Sequence, residues 1–143
     1  MDDPRAALVA EARDWIGTPY RHQASVKGVG CDCLGLVRGV WRARHGAEPE
    51  AIPAYGPDWS ETRADEALWQ ALARHMRPAD PVPRPGDVLL FRMRAGRVAK
   101  HLGILTRDGT EARFVHAYSG HGVVESPLSA PWARRIVARF DMT

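Results

Sequence analysis

The chain has little cysteine, almost no lysine, no long apolar run, no internal repeat and no low-complexity tail. Each shortage excludes something. The two cysteines, Cys31 and Cys33, stand two positions apart, and disulfide geometry disfavours so short a loop. A disulfide-stapled scaffold is therefore out. The longest apolar stretches, such as "DVLLF", fall far short of the roughly 20 residues that cross a bilayer, so no membrane insertion is expected. The opening "MDDPRAALVAEARDW" is acidic at its start and has no apolar core, unlike a secretory signal. The expectation is a protein that reaches any extracellular target by another route. Of the 20 basic residues 18 are arginine, and 17 acidic residues are interspersed with them to leave a net charge of +3. With no recognition motif beside that charge, nucleic acid is not an expected partner.

What is present is ordinary globular material: 45% hydrophobic and 26% charged residues over 143 positions. That length suits one domain, residues 1–143, able to bury a core without metal or disulfide. Asp3 and Pro4 read as an N-cap and first turn. Leu8, Ala12, Trp15 and Ile16 then follow helical spacing until Gly17. "GTPYRHQASVKGVG" is a loop, and a second helix runs from Cys33 to Arg44 with Asp32 at its N-cap. Gly35 and Gly39 lie on one face of it. Each glycine costs about 1 kcal/mol against alanine, so the spacing predicts a close backbone neighbour, the sheet. "AEPEAIPAYGPDWS" is a proline-punctuated loop holding Tyr55 and Trp59, and a third helix is expected from Thr62 to Met76. After "RPADPVPRPGD" the period changes: "DVLLFRM", "KHLGILTR", "ARFVHAYS", "GVVESPL" and "RRIVARF" read as strands. Helices first and an antiparallel sheet second make an α+β fold.

The chemistry concentrates in "GVGCDCLGLVRGV". A thiol in this setting is a nucleophile, a metal ligand or buried filler. Cys33 falls at a helix start, where free N–H groups and the helix dipole favour a thiolate. A nucleophile needs a base. His101 opens one strand and His116 sits within the next, so antiparallel pairing can set the imidazoles side by side, one acting on sulfur and the other fixing its tautomer.

Together, "GTPYRH...GCDCLGLV", "PGDVLLF", "KHLGIL" and "FVHAY" resemble the NlpC-type cell-wall cysteine peptidases, over Gly17 to Val124. The resemblance implies a compact papain-like fold, no cofactor, and hydrolysis of stem peptides in bacterial peptidoglycan, often between D-glutamate and diaminopimelate. By position it implies Cys33 as nucleophile, His101 as general base and His116 as the third, orienting residue. Tyr20 becomes a site-shaping and oxyanion-side residue, and Asp32 a group that meets a substrate amine. Many relatives have serine directly after the nucleophile where this chain has Leu34, so the peptide preference stands open. "DCLGLV" and "PAYGPDW" look most like members carried in the tails of phages, prophages and gene transfer agents. That implies tail hub or tip proteins as partners, and action in the periplasm of a target cell.

Other readings remain at this level. Cys31, Cys33, His101 and His116 include zinc-binding types, although one residue between cysteines is tighter than usual zinc spacing. A catalytically silent tail-tip adaptor, or an acyl-transfer or amidase reaction on the same scaffold, would use the same fold. Cys31 reads as a small loop-lining residue. His22, His45, His75 and His121 read as surface or capping groups, and the tryptophans as core. An ion pair of Cys33 with His101 predicts fast thiol alkylation well below pH 8.5.

Overall fold

A computed structural model of the chain describes residues 3–49 and 66–143. Helix α1, Pro4–Asp14, starts where the Asp3 carboxylate accepts the Arg5 N–H at 3.0 Å. A turn follows to Gly17, whose φ of 93° suits glycine. Within the following loop Ser25–Val26 (β1) and Gly30–Cys31 (β2) pair as a short hairpin. Helix α2, Cys33–His45, ends at Gly46 with φ 87°. Helix α3 is Ala67–His75. The expected start of this helix at Thr62, with Tyr55 and Trp59, lies outside the described residues.

The second half of the chain builds the sheet. Its strands are β3 (Arg77–Pro78), β4 (Val88–Phe91), β5 (His101–Arg107), β6 (Arg113–Tyr118), β7 (Gly122–Pro127) and β8 (Ile136–Asp141). They pair antiparallel in the order β3-β8-β4-β5-β6-β7. A four-residue helix α4, Ala130–Ala133, precedes β8. The α+β order and all five expected strands are present. The pieces that sequence reading missed are β1, β2, β3 and α4, each too short for a period to register.

Strand alternation sends side chains to two cores. Val88, Leu90, Leu102, Ile104, Val115 and Ala117 join Leu8, Ala12, Leu36 and Val40 in the core under the helices. Leu89, Phe91, Leu105 and Phe114 form a smaller core on the opposite face with Leu128, Trp132 and Ile136. The glycine face of α2 corrects one expectation. A Cβ at Gly35 would stand 1.8 Å from the Ala24 carbonyl oxygen, and one at Gly39 would stand 2.0 Å from Cζ2 of Trp15. The close neighbours are therefore the loop before β1 and the α1 indole, not the sheet. Docked this way, the start of α2 meets the start of β5. Among the described residues no helix is long and apolar enough to cross a membrane.

Candidate active site

Asp32 fixes the start of α2. Its Oδ1 accepts the Gly35 N–H and its Oδ2 the Gln23 N–H, both at 2.7 Å. Gln23 is the one non-glycine residue at positive φ, 66°, among the described residues. That conformation costs on the order of 1 kcal/mol, and the bond to Asp32 helps hold it. The first residue of the helix, Cys33, is thus aimed by a braced cap. Its thiol donates to the Lys100 carbonyl at 3.5 Å, and the Leu102 N–H also reaches the sulfur. The sulfur therefore touches the backbone on both sides of His101. Cys33 and His101 line one cleft, together with Tyr20, Leu34, Arg94 and Tyr118.

His101 Nε2 lies 2.8 Å from His116 Nδ1, with one shared proton between them. His101 Nδ1 is the ring nitrogen that this bond leaves unused. His116 Nε2 in turn lies 3.0 Å from Ser126 Oγ on β7. Pairing of Ile104 with Val115 and Leu105 with Phe114, continued by one residue, puts His116 opposite Gly103. A Cβ on Gly103 would stand 2.8 Å from Phe114 Cδ2 and 3.4 Å from His116 Cβ. Glycine there makes room for the Phe114 ring and for His116, which reaches His101 as a diagonal neighbour on the pleat.

The pair is walled by aromatic rings. Trp132 of α4 packs with its centroid 5.0 Å from His116 and 5.6 Å from His101, and Phe114 stands 4.2 Å from His116. Trp132 is thus not simply core, as its sequence suggested; it covers the histidine pair. Neither it nor Ser126 was found from sequence. The Trp132 helix is a single turn and Ser126 is one of many strand hydroxyls, so no spacing signal marked either.

Burial sets the charge state. It lowers His101 to about 3, helped by His116 and Lys100, and lowers His116 to about 4, helped by His121. Both rings are neutral at pH 7. Burial, then the Asp32 carboxylate, pushes the Cys33 thiol up to about 12 against the pull of the Leu102, Leu34 and Cys33 N–H groups. This reverses the expected helix-start thiolate: desolvation outweighs the dipole, and the resting sulfur carries its proton. The histidines also link stability to pH. Their folded pKa values lie below the unfolded value near 6.5, so the unfolded chain binds more protons once pH drops below 6.5, and stability falls. Urea midpoints should therefore drop between pH 7 and pH 5, above the range where carboxylates titrate. Equal midpoints at the two pH values would contradict neutral burial of the pair.

The remaining expected residues divide cleanly. Tyr20 forms a β-bridge with Cys31, and burial above all, with the nearby Asp32 carboxylate, pushes its phenol up to about 12. It therefore stays protonated and able to donate at the cleft wall. Asp32, 3% exposed, is a cap first. Leu34 packs toward the helical core. Cys31 is fully buried in that core, deeper than a loop lining. His45 is a partner for the Met142 carbonyl at 2.6 Å, and His121 stacks on Tyr118 at 5.2 Å. Among the described residues no group of three or more His, Cys, Asp or Glu is placed to hold a metal ion.

Comparison with known proteins places the whole chain. The model of the NlpC/P60 family matches residues 17–140. The murein DD-endopeptidase MepS/murein LD-carboxypeptidase of Escherichia coli K12 is 29% identical over 96% of this chain, which spans 65% of that protein. The gamma-DL-glutamyl hydrolase of Bacillus subtilis 168 is 32% identical over 97% of this chain and 31% of its own length. The chain thus spans less than two thirds of either curated relative. Among solved structures, the NlpC/p60 domain of the peptidoglycan hydrolase SagA superposes with a TM-score of 0.64 at 23% identity, covering 96% of this chain and 98% of that one. That likeness carries the papain-like α+β fold. With a family match over residues 17–140 and a shared fold, this chain belongs to the NlpC/P60 family.

Proposed function

We propose that the protein is a cysteine peptidase of the bacterial cell wall that hydrolyses stem-peptide amide bonds of peptidoglycan, D-glutamyl–diaminopimelate bonds first among them. The observation that carries this reading is one cleft holding both the Cys33 thiol, set against the backbone on either side of His101, and the His101 ring, whose Nε2 lies 2.8 Å from His116 Nδ1. Family membership supports it: NlpC/P60 peptidases are cysteine-type wall hydrolases.

The resting state is a neutral thiol beside a neutral imidazole. As the substrate carbonyl arrives, His101 Nδ1 takes the thiol proton while sulfur bonds to the carbonyl carbon. The oxyanion meets the Cys33 N–H and the Tyr20 hydroxyl, and removing one such donor typically costs about 2.7–4 kcal/mol of barrier. His101, now charged, gives its proton to the leaving amine. Water then attacks the thioester with His101 as base, releasing the acid and restoring the thiol. His116 holds the His101 ring throughout, and Trp132 keeps water from the pair. Asp32 meets a substrate amine only at the cleft edge, since both its oxygens already serve the cap. No cofactor enters these steps.

The finer reading sets the enzyme in a phage-like tail, beside hub or tip proteins, opening the wall from the periplasmic side of a target cell. It rests on the likeness of "DCLGLV" and "PAYGPDW" to tail-borne members. Mass spectrometry of purified particles should detect the chain among tail proteins; its absence from them would remove that part alone.

The central test is isolated peptidoglycan incubated with wild type or Cys33→Ala. The wild type should release stem-peptide fragments whose masses place the cut next to D-glutamate, and the variant none. Equal, null release from both would favour the silent adaptor, and fragments separated between sugar and peptide would favour an amidase.

A further inference from the structure

We propose that Ser126 is a positioning residue that completes the hydrogen-bond line, giving the His116 Nε2–H an acceptor so that both histidines can stand as Nε2–H tautomers and His101 Nδ1 is free to accept the thiol proton. The inference rests on the cysteine-peptidase reading but is tested separately from it. The Ser126 hydroxyl is the next group on the line after His116, 3.0 Å from Nε2. Ser126 pairs with Phe114 across β6 and β7, which puts its side chain on the face that carries Phe114 and His116. His116 is 1% exposed, so its ring nitrogens need partners within the protein.

A neutral imidazole has one N–H and one lone pair. If His101 is to take a proton at Nδ1, its own proton must sit on Nε2. That N–H then donates to His116 Nδ1, which leaves the His116 proton on Nε2, and Nε2–H needs an acceptor. Ser126 Oγ is the group in reach. In the opposite order, with both rings protonated at Nδ1, the Ser126 hydroxyl would donate instead and His101 Nδ1 would carry a proton, which removes the base. Charging of His101 during turnover keeps the same direction, because its Nε2–H still donates to His116. A hydroxyl serves here where a carboxylate would not be required: it accepts one N–H without adding charge to a buried aromatic pocket.

Imidazole ¹⁵N shifts, together with kinetics on a soluble stem peptide, test this. In the wild type both rings should report Nε2–H. In Ser126→Ala a measurable fraction of His101 and His116 should shift to Nδ1–H, and kcat should fall about 10- to 100-fold, the scale of one lost buried partner, with KM nearly unchanged. Ser126→Thr, which keeps the hydroxyl, should restore both the shifts and the rate to within about threefold. A wild-type His116 protonated at Nδ1 overturns the proposal even if Ser126→Ala does not fold. Unchanged tautomers and rate in a folded Ser126→Ala overturn it too. The tautomers are readable whether or not the protein cuts peptidoglycan, so failure of the peptidase reading leaves a distinct result.

Discussion

A His101→Ala protein should release peptidoglycan fragments at least about 10⁴-fold more slowly than wild type, yet remain folded. Residues that act as one unit lose nearly everything singly. His101 contributes the base at sulfur, the acid at the leaving amine and the base at water, so no step survives its removal. Cys33→Ala should be equally silent, and the double variant no worse than either. His116→Ala should fall between, near 10²- to 10³-fold, because it orients the base but does not touch the substrate. The aromatic wall should keep the His101→Ala fold intact: Phe91, Phe114 and Trp132 pack on one another at 5.3–5.4 Å. Fragment release measured against far-ultraviolet circular dichroism separates chemistry from folding. A folded His101→Ala protein retaining a tenth of the activity would end the general-base assignment.

The parts of this site that were legible in the sequence are those that local rules determine. Asp32 followed by Cys33 is a cap before a helix, and its geometry is local. His101 and His116 sit in strands whose alternating pattern was plain, and neighbouring strands in sequence are usually neighbours in space. Illegible features depend on tertiary context. The neighbours of Gly35 and Gly39 come from the Ala24 carbonyl and Trp15, which no helical spacing announces. The charge of Cys33 turns on how strongly burial competes with the helix start, and that balance needs coordinates. Trp132 and Ser126 reach the histidines from α4 and β7, after two chain reversals. Gly103 is explained only by the Phe114 ring and the His116 Cβ that pack against it from the next strand.

The "PGD" block shows the same division, and it carries the largest expected effect on stability. Gly86 has φ 98°, a turn that glycine accepts, and it delivers Asp87 to a site 1% exposed. There Oδ1 accepts Arg5 Nη1 from α1 at 2.8 Å, while Oδ2 accepts Arg139 Nη1 from β8 at 2.7 Å and the Arg84 N–H at 3.0 Å. The Asp87 carbonyl accepts the Leu105 N–H of β5 at 2.9 Å. One carboxylate thus joins the first helix, the last strand and the proline-rich connector. Asp87→Ala would leave Arg5, 12% exposed, with Asp141 as its remaining carboxylate and Arg139, 20% exposed, with the Pro81 carbonyl. Breaking a buried pair by removing one partner costs about 3–5 kcal/mol, a large share of the 5–15 kcal/mol typical of a whole domain. The melting temperature should fall by roughly 10 °C or more. Asp87→Asn, which keeps the shape and loses the charge, should fall by less. Below the transition both variants should cut peptidoglycan at near the wild-type rate, because Asp87 holds the elements together but does not line the cleft. A normal melting temperature in Asp87→Ala would mean the arginines find water as readily as they find the carboxylate, and the motif would then need another explanation.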